Sequence, residues 1–108
     1  MHQHIETIEA GYEFLLAYAA QGRDSDEGSD VRDTLQNMES AASAIIEALQ
    51  ENELDFAAVV VDDAGKSIAA IRLVLAQDTI SSELADNLNA SIHVRALLTD
   101  LFLLSETA

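Results

Sequence analysis

The stretch Leu54–Leu75, LDFAAVVVDDAGKSIAAIRLVL, decides the fold, because it can be read in two ways. As a β-hairpin, Phe56–Val61 and Ser67–Leu75 are the strands and Asp62-Asp63-Ala64-Gly65-Lys66 is the turn. β-Branched valines suit a strand, and an acidic, glycine-containing segment suits a turn. As a helix, Leu54, Ala57, Val61, Ala64, Ile68, Ile71 and Leu75 recur every three or four residues, and that rhythm continues through the supposed turn. Asp62 and Lys66 then stand four apart with the acid on the N-terminal side, the better orientation for a helical ion pair. Asn52 supplies a cap, and Asp55 complements the positive helix end. These features favour a helix over about residues 53–77.

A second set of apolar residues crowds the same helix: Val59, Val60, Leu73 and Val74. A helix that is apolar nearly all round has to be buried all round. A lone bundle wets one side of each helix, so Val59, Val60, Leu73 and Val74 are expected to form the contact of a homodimer through this third helix.

The flanking segments extend the pattern. Between about 30 and 50, Val31, Leu35, Met38, Ala42, Ile45 and Leu49 alternate in steps of four and three, a heptad-like stripe suited to antiparallel packing near +20°. Ser29 or Asp30 can cap it. The first helix, about 3–20, lines up Ile5, Ile8, Tyr12, Leu15 and Ala19 and stops at Gly22. The last is expected over about 79–104, with Leu84, Leu88, Ile92, Leu98, Leu101 and Phe102 on a broad apolar face and Asn87, Asn89 and Ser91 making its middle polar. There is no proline to interrupt any of them. Four such helices joined by short turns imply an all-α, up-down-up-down antiparallel four-helix bundle, one domain spanning 1–108.

Charge narrows the function. Five Lys or Arg face 20 Asp or Glu, a formal net charge of −15, which argues against direct binding to nucleic-acid phosphates or anionic lipid. It favours a basic protein partner, met by an acidic surface on the first two helices that includes Glu6, Glu9, Glu13, Asp30 and Asp33. Cysteine is absent, which removes disulfides and thiolate metal sites. No basic, apolar leader is evident at the N-terminus, and no apolar run approaches the ~20 residues of a membrane span, so a cytoplasmic location without membrane attachment is expected.

Sites of chemistry are scarce. His2 and His4 lie at the terminus. His93 is preceded three residues earlier by Ala90, so the Glu-x-x-His pairs of a di-iron bundle are missing. The run Asp24-Ser25-Asp26-Glu27-Gly28-Ser29-Asp30 alternates carboxylates like a calcium loop, but counted from Asp24 its sixth and twelfth positions are Ser29 and Leu35 instead of glycine and glutamate. No nucleophile elbow or phosphate-binding glycine loop occurs. The expectation is a non-enzymatic protein-binding module (chaperone, adaptor, inhibitor or assembly factor) with no cofactor. The alternative is a bundle holding a metal or a small apolar ligand in its core, with His93 the one good candidate to face it.

Overall fold

The computed structural model describes residues 1–107. Those residues form five helices and no strand: α1 His2–Ala19, α2 Val31–Leu49, α3 Asp55–Leu75, α4 Ser82–Ala90 and α5 His93–Glu106. Apart from Leu54, the extended N-cap, the Leu54–Leu75 stretch is helical throughout. Its 3/4 spacing outweighs the β propensity of its valines, because a helix lays one face of the segment on the core while a hairpin would split it.

Which face is buried differs from expectation by one residue. Ala57, Val60, Ala64, Ser67, Ile68, Ile71 and Val74 turn inward, while Leu54 is exposed and Val61 and Leu75 are half-buried. At ~100° per residue Val60 lies within about 60° of both Ala57 and Ala64, and Val74 within about 60° of Ile71, so both border the core stripe. By contrast α2 keeps its expected stripe intact: Val31, Leu35, Met38, Ala42, Ile45 and Leu49 are all buried, joined by Ala41.

The expected single helix over 79–104 is broken, giving five helices where four were expected. α4 ends at Ser91, whose hydroxyl donates to the Leu88 carbonyl at 2.6 Å, and Ile92 adopts a left-handed φ of 63°. α5 restarts with the Ala96 N–H donating to the Ile92 carbonyl at 2.8 Å. Asn87, Asn89 and Ser91 are residues whose side chains compete with the backbone for hydrogen bonds and favour helix ends. The break resets the helical phase. Leu88 stays in the core, but Ile92, four residues later, is turned out to solvent.

Packing runs α1 on α2, α2 on α3 and α3 on α5, with α4 lying mainly on α1. Apolar residues from all five helices form one cluster, and the molecule measures 44 × 23 × 21 Å. α1 and α2 approach closely at Gly11, where a Cβ would overlap Cγ and Sδ of the fully buried Met38.

One end of the molecule is sealed by polar contacts. The Tyr18 hydroxyl donates to the Ile80 carbonyl at 2.5 Å, and Ser82 Oγ donates to the Tyr18 carbonyl at 2.7 Å. Arg32 donates to Asp26 Oδ2 and to the carbonyls of Leu75, Gln77 and Asp78, at 2.7–3.0 Å. Its guanidinium therefore caps the C-terminus of α3 from the first turn of α2, where a cation also meets the negative helix end.

Candidate functional site

The acidic residues fall into several separate groups. Glu6, Glu9 and Glu13 share a stripe of α1, with Glu6 and Glu13 exposed and Glu9 half-buried. A surface depression between α1 and α2 is lined by Thr7, Ala10, Gly11 and Phe14 of α1 and by Thr34 and Asn37 of α2. The glutamate stripe is roughly a third of a turn away from it, so it faces away from α2. Asp30 and Asp33 are exposed at the start of α2. The five expected partner-facing acids are therefore not gathered into one patch.

The loop that resembled a calcium site is held by other means. Asp26 Oδ1 accepts from the Ile80 N–H at 2.8 Å and its Oδ2 accepts from Arg32. Those bonds, the Ile80 amide first and the guanidinium second, hold its carboxyl below the usual range. Asp24 and Asp30 stay exposed, and among the described residues no group of three or more His, Asp or Glu side chains converges as metal donors. His93 sits half-buried at the first position of α5, while His2 pairs with Glu6 across one turn at 3.0 Å.

Of the four residues expected at a dimer contact, Val60 and Val74 lie in the chain's own core and Val59 and Leu73 are exposed, at 43% and 68%. Further exposed apolar side chains come from α5: Ile92 at 60%, Leu103 at 55% and Phe102 at 40%. Ile92, Ala96, Thr99 and Leu103 follow one another at steps of four, three and four, which keeps them on one side of the helix. Sequence reading missed this row because an unbroken helix would have turned Ile92 under Leu88. The 4-3-4 spacing was the available signal.

Beside that row, α3 and α5 bring two carboxyls together. The Asp63 and Asp100 carboxyls lie close enough to interact. Burial first, and then the Asp63 carboxyl, push Asp100 up to about 7. The buried Oδ2 of Asp100 has no hydrogen-bond partner among the described residues. Lys66 pairs with Asp62 at 2.9 Å and also acts coulombically on Asp63, while Arg72 pairs with Glu39 at 2.8 Å. Arg23 donates to the Ser25 and Glu27 carbonyls and lies over the Tyr18 ring. Among the described residues Arg95, exposed on α5, is the one cationic side chain without a hydrogen bond or ion pair.

No helix among the described residues is long and apolar enough to cross a membrane. Comparison with family models, with curated proteins and with solved structures found no match.

Proposed function

We propose that the protein is a non-enzymatic protein-binding module, a chaperone, adaptor, inhibitor or assembly factor that holds a basic partner on its acidic surface and also associates with itself. The observation that carries this reading is the charge left over after internal pairing. Four of the five cations are engaged within the chain, three of them with Asp26, Asp62 and Glu39, so the net charge of −15 rests on carboxylates that have no Lys or Arg partner among the described residues. At 0.1 M salt such a field reaches ~10 Å, enough to steer a cationic partner and to repel nucleic-acid phosphates. In this reading the scaffold is an up-down bundle whose fourth side is α4 and α5 together, and the exposed Val59 and Leu73 belong to a homo-oligomer contact.

The test is to capture partners from an extract of the producing cell and measure the association rate of the captured protein against ionic strength. A basic partner whose rate falls as salt rises supports the proposal, provided the triple variant Glu6→Gln, Glu9→Gln, Glu13→Gln flattens that fall. A rate that ignores both salt and the triple variant refutes the acidic-surface reading.

A further inference from the structure

We infer that two copies of the chain pair α5 against α5 in parallel, with Ile92, Ala96, Thr99 and Leu103 as the seam and Arg95 of each copy reaching the partner's Asp100. This deepens the self-association part of the proposed function and rests on that part alone.

Three separate observations meet on this helix. The first is the row itself. Its 4-3-4 spacing is that of successive core positions in a two-stranded coiled coil, yet the described residues leave more than half of Ile92 and of Leu103 exposed. Ala96 and Thr99, in the middle, are small enough to let two helix axes come within about 8 Å. The second is Ile92. A β-branched residue is poorly suited to a φ of 63°, where glycine or asparagine is easier, and its exposed side chain gains little from the chain's own core. A contact outside the chain gives that side chain a role.

The third observation is charge, which also selects the occupant and its direction. Arg95 and Asp100 flank the row on opposite sides, five residues apart. In a parallel pair, twofold symmetry brings one flank of a helix beside the opposite flank of its partner, and residues five apart then meet. Each Arg95 side chain, which among the described residues has no hydrogen bond or ion pair, is thereby placed beside Asp100, whose buried Oδ2 has no hydrogen-bond partner among those residues, while Lys66 acts on Asp63 from the α3 side. An antiparallel pair matches each flank with itself. It would set Arg95 near Phe102 and Asp100 near His93, leaving the opposite charges apart. Like-charge repulsion is also small here: α5 carries two of the 20 acids, Asp100 and Glu106, alongside Arg95.

The absence of cysteine makes the test direct, using the full-length protein with single Leu103→Cys or Ile92→Cys substitutions. In the parallel arrangement each residue faces its own copy, so either variant alone forms a disulfide-linked dimer in a glutathione redox buffer. Gln36→Cys, on the exposed side of α2, stays monomeric in the same buffer. In an antiparallel pair centred between Leu97 and Leu98, equivalent positions are offset by about 16 Å, and only a mixture of the two variants cross-links. That result overturns the proposal. Sedimentation adds a second readout. Arg95→Glu is expected to weaken self-association about tenfold or more, and the charge swap Arg95→Asp with Asp100→Arg is expected to restore it to within about threefold. A wild-type chain that remains monomeric at high concentration, or a swap that fails to restore association while circular dichroism shows the fold intact, also overturns it. None of these measurements involves the basic partner, so that reading can fail separately.

Discussion

The same substitution should act with opposite sign at two glycines that both lie inside helices. Gly65 is an exposed position of α3 where an added Cβ meets nothing within 4 Å. Replacing it with alanine removes backbone freedom from the unfolded chain and should stabilise the protein by about 1 kcal/mol. Gly11 is buried where α1 crosses α2, and there the same ~1 kcal/mol gain is opposed by overlap with Met38. Met38 is flexible but fully enclosed, so it can yield only by displacing its neighbours in the core. Overpacking of this kind costs about 1–3 kcal/mol, which leaves Gly11→Ala neutral to destabilising by about 2 kcal/mol. The melting temperatures of the two variants should then bracket the wild type and differ by roughly 4–12 °C. Thermal unfolding followed by circular dichroism at one fixed protein concentration measures this, with urea titration as a check that the m-value is unchanged. If Gly11→Ala raised the melting temperature as much as Gly65→Ala, the close α1–α2 approach described above would be wrong.

Other expectations follow from the same geometry. Arg32→Ala removes four hydrogen bonds made by a charged donor and should cost about 2–3 kcal/mol, whereas Arg72→Ala, at an exposed ion pair, should cost under about 0.5 kcal/mol in the same urea titration. Because Asp100 keeps its proton up to about 7 in the folded state, the folded chain binds more protons than the unfolded one between pH 3.8 and 7. Its contribution is complete below that window and is lost as pH rises through it, the reverse of Asp26, whose lowered carboxyl loses its contribution only in acid. Stability measured from pH 4 to 8 should therefore decline more steeply for wild type than for Asp100→Asn, and equal slopes would contradict the carboxyl pair. Ile92→Gly relieves the left-handed backbone and should raise monomer stability by about 1 kcal/mol while reducing self-association; a loss of stability would show that Ile92 packs within its own chain.

The helical character of the chain was legible because each long helix lays a 3/4 row on the core, and α2 shows that row without change. The break at Ser91–Ile92 was signalled only by Asn87, Asn89 and Ser91, whose preference for helix ends is weak enough for packing to override. The outward stripe of α5 depends on the phase set by that break, so reading the helix as continuous concealed it. The division of α3 into two apolar faces went wrong for a geometric reason: Val60 and Val74 are neighbours of the Ala57–Ala64–Ile71 row, leaving only Val59 and Leu73 outside. Asp26 looked like part of an ion-binding loop because its partners, Arg32 and the Ile80 amide, are respectively six and 54 positions away. Contacts at the longer separation leave no local pattern. The Asp63–Asp100 pair joins two helices in the same way and was equally invisible.

The clasp among Tyr18, Ile80 and Ser82 has a consequence for the order in which the chain can assemble. Its bonds span 62 and 64 positions, whereas α1–α2 and α2–α3 are joined by short loops. Closing the longer loop costs more chain entropy and has to follow or accompany the pairing of nearer helices. On a ribosome the first three helices emerge before Ser82 does. Until then the face of α1 that later receives α4 has no partner, and the nascent chain carries a hydrophobic surface that the finished protein conceals. The interval before α4 and α5 arrive to cover α1 and α3 is when this chain is most exposed to aggregation, and when a holding chaperone would have most to grasp.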